Sequence, residues 1–168
     1  MCLYNKLFDI ISYCVEGIAV YKGMIKNVKQ HSDNNAYVTM MNNSALISVI
    51  RISNLFGSYG EENHWKNIID KNLHDAFKEK VILSVFSDEV SFVKFHDNLK
   101  NFRNNYAVHL SDDVNSYLPF FDEILELLQK TYDFLFTHNL VSGVIYERNA
   151  VKNLYFSTYL NVLKLYEK

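Results

Sequence analysis

With 168 residues, 49% of them hydrophobic and 21% charged, the chain has the composition of one globular domain able to bury a full core without metal or disulfide staples. That composition excludes a disordered polymer, and a net charge of -2 excludes a global field for nucleic acid, so any phosphate contact needs a local basic patch. One proline and five glycines are too few turn formers for a many-stranded sandwich or barrel. The expected fold is all-α, a bundle of about five helices forming a single domain over residues 1–168.

The first predicted helix starts at Leu3, with Leu7, Ile10, Cys14, Ile18, Tyr21, Ile25 and Val28 recurring every three or four residues. Gly17 and Gly23 interrupt it at a cost of about 1 kcal/mol each relative to alanine, which close packing against a neighbour offsets. His31 to Asn35 form a polar turn. A second stripe, Val38, Met41, Ala45, Val49, Ile52 and Phe56, stops at Gly57, where glycine is expected as a left-handed cap. Gly57 to Asn63 is a loop. From Trp65 to Phe86 the pattern is irregular and reads as short helices, although Val81 to Val85 also suits a strand.

Ser87 or Asp88 caps a third strong helix carrying Phe92, Phe95, Leu99, Phe102 and Tyr106, and Ser111 to Asp113 end it. A fourth begins near Asn115 or Ser116, tolerates Pro119 in its first turn, and presents Leu118, Phe121, Leu125, Leu128, Tyr132 and Leu135. Asn139 to Gly143 break it. The last helix runs through Val151, Leu154, Thr158, Val162 and Leu165. Nowhere is there an uncharged apolar run of about 18 residues, so neither a membrane span nor a signal peptide is expected, and the expected location is cytoplasmic. Cys2 and Cys14 read as free thiols, Cys14 as core filler.

Six histidines, His31, His64, His74, His96, His109 and His138, form no HExxH pair and no zinc spacing, so neither a metal nor another cofactor is expected. There is no G-x-S-x-G elbow, and Gly57-Ser58-Tyr59-Gly60 reads as a turn, being too short for a phosphate loop. The constellation that carries chemistry is Arg103-Asn104-Asn105-Tyr106-Ala107-Val108-His109 at the end of the third strong helix. At about 100° per residue, Arg103 lies about 60° to one side of the apolar direction and His109 about 60° to the other, some 9 Å apart along the axis. One straight helix does not bring their heads together unless its end unwinds or the long arginine reaches down; a pocket against a second helix or a second subunit would solve this. His96 and Lys100 share the Arg103 flank and make a cationic strip suited to RNA phosphate; they also read as a solvated edge beside the core.

Arg-Asn-x-x-x-x-His resembles the signature of the HEPN superfamily, with Arg103, Asn104 and His109 matching. Phe102 to Leu110, together with the helix and Gly-bearing loop of Ser44 to Trp65, is most similar to the abortive-infection, AbiU-like branch. The resemblance implies a small all-helical, metal-independent endoribonuclease in which the paired Arg and His form the site, acting as a homodimer. By analogy it implies a toxin of a phage-defence or toxin-antitoxin system with an antitoxin protein as partner. Some members carry a modifiable tyrosine two residues after the histidine; here that position is Ser111, and that form of control is not expected. The alternative from another class is a non-catalytic helical dimer acting as a protein- or nucleotide-binding module, in which Arg103 and His109 are structural and some of the twelve Tyr and twelve Phe anchor a partner.

Overall fold

Two adjacent apolar stripes, rather than one, run along the first helix. Leu7, Ile10, Ile11, Cys14, Val15, Ile18, Ala19, Tyr21 and Met24 are all buried, so this helix is surrounded over a wide arc and sits at the centre of the bundle. The structure is a computed structural model that describes residues 3–57, 60, 62–108, 121–141 and 147–166, with the side chains of 6–57, 60, 62–103, 121–141 and 147–166. Its long helices are α1 (Leu3–Ile25), α2 (Asn35–Phe56), α6 (Glu89–Val108), α7 (Phe121–Thr137) and α8 (Ala150–Tyr166), with the short α3 (Trp65–Ile68), α4 (His74–Phe77) and α5 (Leu83–Phe86) between α2 and α6. No strand occurs among the described residues, and the fold is all-α. None of the described helices is long and apolar enough to cross a membrane.

α1 packs on α2 along one side and on α8 along the other, α2 carries α6, and α7 closes the bundle against α1 and α8. The two glycines of α1 mark these approaches. A Cβ at Gly17 would strike Ser48 Oγ and lie 2.9 Å from the Ser44 carbonyl on α2, and one at Gly23 would lie 2.7 Å from Val162 Cγ1 on α8. At the Gly17 crossing the buried Ser48 hydroxyl donates to the Cys14 carbonyl at 3.1 Å, while the Cys14 thiol donates back to the Ser48 carbonyl at 3.4 Å. Gly17→Ala is therefore expected to destabilise the protein by about 1–3 kcal/mol, because overpacking outweighs the roughly 1 kcal/mol that alanine gains in helix propensity. Urea unfolding checks this; a raised midpoint would contradict the close approach.

Local signals set most boundaries. Asn34 Oδ1 accepts from Tyr37 N at 3.1 Å and starts α2, and Asp88 Oδ1 accepts from Ser91 N at 2.7 Å and starts α6. The expectation for Gly57 needs correction: its φ of -86° and ψ of -129° are not left-handed. Glycine is required there for space, since a Cβ would collide with the Ser53 carbonyl that accepts the Gly57 N–H at 2.8 Å. Leu165, expected on the buried stripe of α8, is 71% exposed; Val151 and Val162 make the buried face instead. Asn115, Ser116, Leu118 and Pro119 lie outside the described residues.

The irregular stretch between α2 and α6 is helical throughout Val81 to Val85. α3 is followed by a 3₁₀ turn (Lys71–Leu73), and α4 passes without a break through a π-helical stretch (Lys78–Ile82) into α5. Phe77, fully buried, anchors this stretch: its ring stacks on Trp65 at 4.8 Å, meets Phe134 of α7 edge-on at 5.0 Å, and lies 6.3 Å from Phe56 of α2. The buried residues of the long and short helices form one contiguous core.

Candidate functional site

Residues 96, 100 and 103 are spaced i, i+4 and i+7, so they follow one flank of a helix. On α6 the neighbouring face, Phe95, Leu99 and Phe102, is buried against the core, which places that flank at the seam between α6 and the C-terminal end of α2. The seam is a narrow cleft lined by Ser53, Gly57, His96, Leu99, Lys100 and Arg103. The three residues predicted to share a flank, His96, Lys100 and Arg103, do line one cleft. Its volume of about 10 Å³ is the size of one water molecule, too small to admit a phosphate; of the cations lining it, Lys100 is exposed and Arg103 half-buried.

Electrostatics at the rim suit an anion. Among the described residues no carboxylate pairs with Lys100 or Arg103. His96 has one acidic neighbour, with Nδ1 3.7 Å from Asp97 Oδ1. Ser53, only 5% exposed on the facing turn of α2, lines the same cleft, and its hydroxyl has no hydrogen-bond partner among the described residues. Of the remaining predicted site residues, Asn104 belongs to the α6 backbone but its side chain lies outside the described set, and His109 lies outside the described residues altogether.

A second cavity of about 340 Å³ continues from the first, sharing Gly57 and His96 and adding His64, Trp65 and Lys66 from the start of α3. Sequence reasoning missed this contribution. His64 belongs to no motif, and its place at the cleft follows only from the path of the chain after Gly57. His64 is 5% exposed, and its Nδ1 accepts the Lys66 N–H at 3.2 Å, so the ring is held as a neutral acceptor that caps α3. Burial first, then the charges of Lys66, His96 and His74, push His64 down to about 4.

That shift has a measurable consequence. Protonation of His64 is disfavoured in the fold, so the unfolded chain takes up a proton first, and stability present above pH 6.5 is lost as pH falls towards about 4. The loss attributable to this residue is at most about 3 kcal/mol. Unfolding measured at neutral and at mildly acidic pH should show a steeper decline for wild type than for His64→Asn, which keeps an acceptor but cannot titrate. Equal slopes would remove His64 from the account.

Other parts of the molecule are poorer candidates. Cys14 is fully buried, and burial pushes its thiol far above its usual range, leaving no thiolate for nucleophilic chemistry. Among the described residues no three His, Cys, Asp or Glu side chains come together as a ligand set. The cavity between α7 and α8, about 450 Å³, carries Asp122 and Glu126 against Lys152, the wrong balance for phosphate. No known protein family, curated protein or solved structure matches the chain.

Proposed function

We propose that this chain is a metal-independent endoribonuclease of the HEPN type. The observation that carries the reading is the rim of the α2–α6 seam, where Arg103 and Lys100 stand together beside His96 with no carboxylate paired to either cation among the described residues. The Arg-Asn-x-x-x-x-His pattern of Arg103, Asn104 and His109 supports it from the sequence.

In this reading the 2′-hydroxyl of RNA attacks the adjacent phosphorus. A 2′-O–P bond forms, the P–O5′ bond breaks, and the products are a 2′,3′-cyclic phosphate and a 5′-hydroxyl. His109 serves as general base or acid, since an imidazole exchanges protons near neutrality. Arg103 offsets the extra negative charge of the phosphorane with a planar fork that lysine lacks. Asn104 orients the phosphate or the guanidinium, and Lys100 and His96 hold RNA phosphate beside the reacting one. One histidine cannot easily serve both proton transfers, and Arg103 and His109 lie on different flanks of one helix. A symmetric homodimer supplying two copies of the motif to one cleft resolves both difficulties. A toxin role, restrained by an antitoxin protein and located in the cytoplasm, extends the same proposal.

The second reading, a non-catalytic dimer that binds a protein or nucleotide, is favoured by Phe156 and Leu160, which stand one turn apart on α8 and are 50% and 51% exposed. Labelled RNA incubated in EDTA with wild type, His109→Ala and Arg103→Ala separates the two. Cleavage by wild type alone supports the nuclease; no cleavage of any RNA supports the binding module.

A further inference from the structure

The seam at Arg103 is not isolated. The cavity beyond it, which shares Gly57 and His96 with the seam, shares Trp65, Lys66 and Lys78 with a third, outer cavity of about 620 Å³ that reaches Lys71 and His74. The three therefore make one groove, running from Arg103 past α3 to the 3₁₀ turn and the beginning of the π-helical stretch. Its described lining carries five cations, Arg103, Lys100, Lys66, Lys78 and Lys71, against the two carboxylates Glu89 and Asp75, in a chain whose net charge is -2. Lys78 is already paired with Glu89. Lys66 Nζ is held 5.4 Å from the centroid of the Trp65 ring, which fixes one positive charge on the groove wall. Between the charged stations the middle cavity is walled by apolar side chains, including Ile82, Leu83, Phe92 and Val93. Alternating cationic stations and apolar wall suit an unpaired strand, whose phosphates and exposed bases need both, better than a duplex, whose bases face inward.

We infer that this groove is the track of a single-stranded RNA leading away from the cleavage point, with Lys66 and Lys71 neutralising phosphates distant from Arg103. The inference rests on the proposed ribonuclease reading for its direction, but binding is measured apart from chemistry. A labelled 2′-O-methyl oligoribonucleotide cannot be cleaved by 2′-oxygen attack, so its fluorescence anisotropy reports binding alone. Lys66 and Lys71 are exposed, and Lys66→Gln/Lys71→Gln should keep the wild-type circular dichroism. The double variant is expected to bind about tenfold more weakly near physiological salt, with the slope of log K against log salt smaller by about 1.4, the release of counterions from two phosphates. Lys152→Gln, in the acidic α7–α8 cavity, should bind as wild type does.

Unchanged affinity and slope in the double variant, or no binding of the oligonucleotide by wild type, would overturn the track. Capture of polyglutamate in place of the oligonucleotide would do the same. Cleavage of unmodified RNA is scored in parallel. Wild-type cleavage with an unaffected double variant rejects the track alone, whereas loss of binding in the double variant without any wild-type cleavage keeps the track and rejects the nuclease.

Discussion

Arg103→Ala is expected to reduce cleavage of RNA in EDTA by about 10²–10³-fold, the usual effect of removing one donor that faces developing charge in a transition state. His109→Ala is expected to cost about 10²–10⁴-fold, the usual contribution of a general acid or base. Two features make Arg103 the sharper probe. It is half-buried and lines the α2–α6 seam, so packing restricts its side chain. Lys100 stands one turn away, yet cannot substitute, because an ammonium provides a point charge where the phosphorane calls for two parallel donors. Arg103→Lys should therefore recover binding but little of the rate. The described residues give Arg103 no carboxylate partner to orphan, so its removal should change stability by no more than about 1 kcal/mol. Cleavage by Arg103→Ala at the wild-type rate would place the chemistry elsewhere.

The largest effect on stability is expected from Phe77→Ala, at about 3–5 kcal/mol. Phe77 has no exposed surface, and its ring touches one aromatic ring from each of α2, α3 and α7, so truncation leaves a cavity where three elements meet. Those elements cannot close it independently, since Trp65 also forms the wall of the groove and Phe56 precedes the spatially constrained Gly57. The loss should appear as a lower urea midpoint with an unchanged slope, and Phe77→Leu should retain part of it. A cost below about 1 kcal/mol would show that the cluster does not organise the groove wall.

The scarcity of proline and glycine carried the all-α class, and periodicity placed the five long helices, because each buries a face and burial is what a 3.6-residue stripe records. The two glycines of α1 were legible as close approaches for the same reason: nothing else offsets glycine in a helix interior. Leu165 was misplaced because an apolar residue near a helix end satisfies a stripe without meeting a neighbour. Gly57 was misread since a sequence shows that glycine is needed but not whether rotation or space requires it. At the candidate site, helical geometry correctly set His96, Lys100 and Arg103 on one flank, for they belong to one element. Ser53, His64, Lys66 and Lys71 arrive from other elements. Their approach depends on how the chain turns after α2, which no local pattern encodes.

The most direct test is the end chemistry of RNA cut by the purified wild-type chain in EDTA. Fragments ending in a 2′,3′-cyclic phosphate and beginning with a 5′-hydroxyl, none of them from the DNA of the same sequence, are what transfer to the neighbouring 2′-oxygen produces. Intact RNA, 3′-hydroxyl ends, or equal cutting of DNA would contradict it.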